Sequence, residues 1–521
     1  MRRALATLHG RARLDLLLDQ PDPAAIVQAL PADELFHAIH EAGLADAAAV
    51  VRLASPEQFR TFVDLDAWRG EELAPARLLP WIHAARGSAH DDDETAAWRE
   101  KLEALDPELV SLLLRSTLRI HDLEEDPDPE IEGDRVVRTP DGHYVVEFEP
   151  GGADHVTLRR LLDDLYERDP FLAGRVLSAV RWELDSDLAE AALRWRSGRL
   201  ADQGYPTFEE ALSWFARPAQ RPAAPAGLPD RPPGFWLASF RADSLLDRAA
   251  GTLAPDERER VELGVLAAAN AALVADRVDP SDADAVRGAV GTARTFIEMG
   301  LEALSGGDAA AAAAVLSSTP VKTVFQRGFA DVLALRWRAE RARRAAEALG
   351  PVPSLDSPVG EAFASVQLRR PRYFPGIERP RDEWGSAAAG AFVERPFRSR
   401  EDVRRTDAAL GDAEALLALG RALGLSPSPA PGARPPTLAT LYLTALANER
   451  LGRPFAPEPL RRGDLPAVAR ALASLDDPRL AAAGEAGALL ATMAANRAGE
   501  LAPVRAGEEP PPGAVSAVLL A

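Results

Sequence analysis

LRRLLDDLYERDPFLAGRVLSAVRWELDSDLAEAALRWRSGRLADQGYPTFEEALSWFAR, residues 158–217, decides the fold class. It reads as a series of short, well-capped helices. Asp169-Pro170 joins an Asp N-cap to a proline at the first helical position, where the missing N–H does no harm. Leu172, Val176, Leu177 and Val180 then follow at the three- and four-residue steps of one helix face. Asp185-Ser186-Asp187 offers a fresh cap to a helix carrying Leu188, Ala192, Leu193 and Trp195. Gly198 is expected as its left-handed C-cap, a conformation glycine adopts without steric cost. Thr207 and Glu210 form a capping box ahead of Leu212, Trp214 and Phe215.

The same stretch concentrates arginine and aromatic side chains. Arg175, Arg181, Arg194, Arg196 and Arg199 lie near Trp182, Trp195 and Tyr205 in the sequence. A guanidinium is planar and always charged; it stacks on aromatic faces and forks onto carboxylates or phosphates. One reading makes Arg181, Arg194, Trp195, Arg196, Arg199 and Tyr205 a surface for an anion or an acidic partner. The other pairs the arginines with Glu183, Asp185, Asp187, Glu190 and Asp202 while the tryptophans fill the core. Arg196 and Arg199, three residues apart, share a helix side, and Arg194 points elsewhere.

The capped-helix rhythm extends through the chain. Asp22-Pro23, Ser55-Pro56 and Asp106-Pro107 mark helix starts in residues 1–123, and Ser55–Gln58 is a further capping box. LPADELFHAIHEAGLADAAAVVRLA (30–54) and EQFRTFVDLDAWRGEELAPARLLPWIHAA (57–85) supply apolar faces too short to stand alone, so neighbours must stack as in a helical solenoid. Residues 124–150 break the pattern: an acidic linker, then one β-hairpin near 134–149 turning at Thr139-Pro140-Asp141-Gly142. A central helical segment occupies 151–217. Residues 218–234 are proline-rich with little apolar content, the composition of a linker. A helical domain follows at 235–349, with starts at Ala254–Glu257 and Asp279–Ser281 and a long final helix from Val321. Residues 350–400 read as irregular, 401–500 as a C-terminal helical domain and 501–521 as a loose tail. Leu335-Arg336-Trp337-Arg338 repeats Leu193-Arg194-Trp195-Arg196, which a duplicated helical unit would explain. The expected fold is all-α, a superhelical or multi-bundle assembly of helical repeats with one small hairpin.

Composition excludes several chemistries. The chain has 521 residues and no cysteine, which removes disulfides, zinc–cysteine sites, iron–sulfur clusters and thiol catalysis. A formal net charge of −20 argues against a general nucleic-acid surface, which needs a basic stripe. No apolar run approaches the ~20 residues of a bilayer span; Leu263–Ala275 is short and flanked by Glu262 and Asp276. No leader-like apolar core follows Met1-Arg2-Arg3, so a cytoplasmic protein is expected. All eight histidines precede residue 156. Glu34 and His37 sit one turn apart, as in di-iron bundles, but form a single pair. They read as a solvated helix edge, and no metal or cofactor is expected. There is no phosphate-binding loop, dinucleotide fingerprint, nucleophile elbow or zinc-protease motif.

LYERDPFLAGRVLSAVRWEL (165–184), LRWRSGRLADQGYPTFEEAL (193–212), LASPEQFRTFVDLDAWRGEELAPARLLPWI (53–82) and LTALANERLGRPFAPEPL (443–460) resemble an uncharacterised bacterial family, domain of unknown function 6178, over most of the chain. The N-terminal helix rhythm separately resembles the superhelical cytosolic domain of MgtE-type magnesium transporters, which implies a fold and not magnesium. Neither resemblance brings catalytic residues. The sequence reads as a non-catalytic cytoplasmic interaction or regulatory scaffold with protein partners. The alternative is an enzyme or sensor of an anionic small molecule, built on the arginine–tryptophan stretch.

Overall fold

A computed structural model describes residues 8–87, 92–131, 135–149, 155–218, 244–427, 435–506 and 516–521, together with Leu5. Contacts divide the chain into two compact units, Met1–Gln326 and Arg327–Ala521. Most of the expected linker, from residue 219 on, lies outside the described residues.

The first unit opens with α1 (Arg11–Leu18), α2 (Pro23–Gln28), α3 (Ala32–Ala42), α4 (Ala48–Leu53) and α5 (Pro56–Asp66). After a minimal hairpin of β1 (Trp68–Arg69) and β2 (Glu72–Leu73) come α6 (Pro75–Arg86), α7 (Asp92–Ala104) and α8 (Pro107–Arg115). The caps work as the sequence implies: the Asp22 carboxylate accepts from Ala25 N, and Ser55 and Gln58 complete their box. Asp106 is the exception. It occupies the N-cap position but caps nothing with its side chain, which is committed elsewhere. Alternate helices stack on one another, α3 on α5 and α4 on α6, so that Phe36, Phe62 and Trp81 meet in the core.

The chain is all-α apart from small sheets, as expected. The hairpin near 134–149 forms from β4 (Val136–Arg138) and β5 (Tyr144–Phe148). It gains a third antiparallel strand, β3 (Leu118–Asp122), in the order β3-β5-β4, with Ile120 and Val137 both facing Val146. Together with β1/β2, this corrects the expectation of a single hairpin.

Helices α9 (His155–Arg168), α10 (Pro170–Trp182), α11 (Asp185–Asp202) and α12 (Phe208–Trp214) follow. Gly198 does not cap α11, which runs through it. The left-handed position falls at Gly204, φ 83°, where Tyr205 N bonds back to Leu200 O at 2.9 Å. Leu184, not the Asp185–Asp187 cluster, is the N-cap residue, and Asp185 and Asp187 fall in the first turn. Beyond the undescribed stretch lie α13 (Leu245–Ala250), α14 (Pro255–Asp276), α15 (Ala283–Ser305), α16 (Ala309–Ser318) and α17 (Val321–Glu347), which contains the boundary between the units. The middle of α14 is buried almost all round, and its Asn270 donates to Gly204 O at 3.0 Å. Helices on both sides of the expected linker thus belong to one compact unit.

The second unit holds α18 (Val359–Ser365), α19 (Ala387–Gly390), α20 (Arg400–Ala422), α21 (Leu438–Arg450), α22 (Leu465–Ala471), α23 (Pro478–Ala482), α24 (Gly484–Ala498) and α25 (Ala502–Arg505). Residues 350–400 have little regular structure but are well packed: Tyr373, Trp384 and Phe397 are buried, and Arg395 lies over the Tyr373 ring and forks onto Asp402. Of the expected tail, residues 507–515 lie outside the described residues, and the residues after them are packed. Ala517 and Val518 are buried, and Leu460 exchanges backbone hydrogen bonds with Leu519 and Ala521.

Candidate functional site

The six residues singled out by sequence fall in four places. Arg196 and Arg199 lie on the side of α11 that faces α5. Arg199 Nε and Nη2 fork onto Asp64 at 2.7 and 2.9 Å, while Nη1 and Nη2 fork onto Asp106 at 3.0 and 2.7 Å. A guanidinium has five N–H donors, so these four bonds leave one. Burial works against the charge on Arg199, but the two carboxylates outweigh it and raise its pKa. Burial also pushes the Asp64 carboxyl upward, against the pull of Arg199. Arg196 donates Nε to Asp64 O at 2.7 Å and lies 5.3 Å from the Trp68 ring centre. Gln203, one turn beyond Arg199, donates to Thr61 at 2.6 Å. The partners of Arg199 are thus far away in the chain, not Glu190 or Asp202.

Arg194 and Trp195 point outward. Arg194 meets Glu190 at 3.1 Å with both side chains about three-quarters in solvent. Arg181, on α10, lies over the Trp182 ring and reaches Glu125 at 3.4 Å. Tyr205 is buried just after the left-handed turn.

Large apolar side chains are left in solvent along the same stretch of chain. Phe171 is 87% exposed, Leu184 64%, Trp182 57% and Trp195 55%. Phe171, Arg175, Ser178 and Trp182 recur along α10 at four-, three- and four-residue steps, which makes one stripe. It is separate from the buried Val176–Leu177–Val180 stripe. Both α10 and α11 pack against α8. Between them opens a cavity of about 340 Å³, whose lining includes Glu108, Ser111, Arg175, Trp182, Glu183 and Leu188. A second, of about 410 Å³, is lined by Glu71, Glu72, Leu112, Arg115, Asp185 and Ala189, among others. Leu188 lines the first and Ala189 the second, so the first turn of α11 is the wall between them. Arg115 and Asp185 pair across the second cavity. The side chains of Glu108, Glu183 and Arg175 make no hydrogen bond or ion pair among the described residues. Phe171 and Leu184 were missed by the sequence reading. The signal lay in Phe171 and Trp182 falling outside the apolar stripe of their own helix.

Glu34 and His37 are not a solvated edge. Both are buried, because the segment leading into α15 covers α3. Nearby, Arg77 bridges Asp66, Asp279 and Ser281, with 2.6 and 2.8 Å bonds to Asp279, and Trp81 Nε1 donates to Asp66 at 2.7 Å. Asp279 therefore serves Arg77, and the N-cap of α15 passes to Asp282. Burial lowers the pKa of His37 to about 4 despite Asp33, and lowers that of His40 despite Asp66. Burial thus favours the neutral form of both rings. Among the described residues no three His, Asp or Glu side chains are placed to hold a metal ion, and no helix is long and apolar enough to cross a membrane.

A family model described as a family of unknown function (DUF6178) matches residues 1–503. No curated protein and no solved structure matches the chain, so the likeness of its N-terminal helices to magnesium transporters carries no argument.

Proposed function

The chain belongs to this family of unknown function, and we propose that it acts as a non-catalytic cytoplasmic interaction or scaffold protein whose contact face is the rim of α10 and α11. The observation that carries the reading is the group of four large apolar side chains, Phe171, Trp182, Leu184 and Trp195, left in solvent within 25 residues. Apolar groups gathered at one place on a surface mark an interaction site more often than scattered ones do. Tryptophan is also the residue type most enriched among binding hot spots. Arg181 and Arg194 belong to the polar edge of this face. The anionic-ligand reading has less to draw on, since Arg199 has four of its five donors engaged by Asp64 and Asp106.

The test is affinity isolation of the intact protein from its host after photo-crosslinking, comparing wild type with the Trp182→Ala/Trp195→Ala double variant. The reading expects specific partners to be lost from the variant while its thermal melt is retained. An unchanged set of captured proteins would remove this face from consideration.

A further inference from the structure

We infer that the partner presents a basic amphipathic segment, which sets a lysine or arginine into the cavity between α10 and α8 and lays apolar residues on Trp182 and Leu184. This rests on reading the α10/α11 rim as a protein-contact face, and it adds the chemistry of what sits there.

The argument is complementarity of charge and shape. The two cavities either side of the first turn of α11 are lined by five carboxylates, Glu71, Glu72, Glu108, Glu183 and Asp185, against two arginines, Arg115 and Arg175. Arg115 is neutralised by Asp185. Four carboxylates thus remain against Arg175 alone. The first cavity joins an apolar wall, Leu172, Val176 and Leu188, to Glu108 and Glu183, with Trp182 at its edge. A long basic side chain matches that gradient: its methylene stem covers the wall while its charged head reaches carboxylate. Arg181 already lies over the Trp182 ring, so the indole contributes apolar contact at the cavity's edge. At about 340 Å³ the cavity is at the small end of ligand pockets, enough for one such side chain. The exposed Leu184 and Trp182 then offer apolar contact to the residues that flank it. An acidic peptide, a nucleic acid or an anionic bilayer would instead meet like charge, which costs affinity and slows encounter.

The experiment titrates the full chain with a fluorescently labelled amphipathic helical peptide of lysine and leucine, read by anisotropy. The comparison peptide replaces every lysine with glutamate. Four proteins are compared: wild type, Glu108→Gln/Glu183→Gln, Trp182→Ala, and Glu259→Gln/Glu302→Gln. The last removes the same charge from exposed positions elsewhere on the unit. The lysine peptide is expected to bind wild type and the charge-matched control alike. It should bind at least tenfold more weakly to the other two variants, and more weakly as salt rises. Equal weakening in the control would mean general attraction to a chain of charge −20, and would overturn the proposal. So would equal binding of the glutamate peptide, Trp182-dependent binding to neutral phosphatidylcholine vesicles, or self-association of the chain that Trp182→Ala abolishes. Should Trp182→Ala fail to fold, Glu108→Gln/Glu183→Gln still decides, because it alters carboxylates that hold no partner among the described residues. If crosslinking instead captures a neutral or acidic segment at this face, the contact reading survives and the basic partner does not.

Discussion

The two sides of α11 put one residue type to opposite uses. Arg199, on the inner side, is locked between Asp64 and Asp106, carboxylates 135 and 93 residues away. Arg194, on the outer side, pairs with its helical neighbour Glu190, and both are mostly in solvent. A desolvated guanidinium is stable only when its donors are satisfied, so the inner arginine acts as a clasp between chain segments. A solvated one is bound about as well by water and contributes little. What separates them is the address of the partner, and neither residue's own neighbourhood in the sequence reveals it.

The largest expected effect comes from breaking the inner clasp. Arg199→Ala leaves the Asp64 carboxylate, 1% exposed, with no guanidinium hydrogen-bonded to it. The expected loss is about 3–5 kcal/mol, as for other buried pairs with one partner removed. Arg199→Lys should recover only a minority of it, because an ammonium cannot fork onto two carboxylates at once. Urea denaturation of both variants checks this. A loss below about 1 kcal/mol in Arg199→Ala would make the two sides of the helix equivalent and undo the comparison.

A second buried site in the same unit should show itself through pH. The His37 pKa falls from an ordinary value near 6.5 to about 4 on folding, driven by burial. The unfolded chain therefore takes up a proton at a pH where the folded one does not. The associated stability is fully present above pH 6.5 and drains away as the pH falls toward 4, by about 3 kcal/mol. His40, also lowered by burial, acts in the same direction; the charged groups that face the two rings are Asp33, Asp66, Asp279 and Arg77. Melting temperatures measured from pH 7.5 to 4 should fall steeply below 6.5. His37→Gln should be less stable throughout and should flatten that slope; an unaltered slope would assign the acid sensitivity to other groups.

Much of the fold was legible because its signals are local. Asp22, Ser55, Asp169 and Thr207 cap helices as their spacing implies, since a cap needs only the next three residues. The third strand was missed, although its signal is also local: Leu118-Arg119-Ile120-His121 alternates, and Leu118 and Ile120 are the buried positions. The site was less legible. Asp106 looks like a cap and Asp279 like a helix start, yet both are taken by arginines from other segments. Glu34 and His37 look solvated because the segment that covers them begins some 240 residues later. The two Leu-Arg-Trp-Arg copies show the same limit. Leu335 is buried where Leu193 is only half-buried, and Trp337 is half-buried where Trp195 stands in solvent.

The turn that ends α11 tests the geometry with a smaller effect. Gly204 has φ 83°, and its carbonyl accepts from the buried Asn270. Gly204→Ala puts a Cβ on a left-handed residue and should cost about 1 kcal/mol, whereas Gly198→Ala, inside the helix, should stabilise by about the same amount. Opposite signs in paired thermal melts would establish where the helix ends. Loss at Gly198 would restore the earlier end and with it a different placement of Arg199.

The smallest effect is the one on which the outer side depends. Arg194 and Glu190 form an i,i+4 pair with side chains 73% and 75% exposed. Such pairs contribute about 0.3–0.5 kcal/mol, and salt screens even that. Arg194→Ala should therefore shift stability by no more than about 0.5 kcal/mol, with alanine's higher helix propensity offsetting part of the loss. Trp195→Ala removes a side chain already 55% exposed, so its cost should stay below that of any fully buried tryptophan, which runs to about 3–5 kcal/mol. If both variants melt close to wild type, the outer side contributes little to the fold, and its tryptophan is available for a partner. If Arg194→Ala instead costs as much as Arg199→Ala, both faces of α11 are structural. The contact face would then shrink to Phe171, Trp182 and Leu184, and the binding measurements on Trp182→Ala would have to carry it alone.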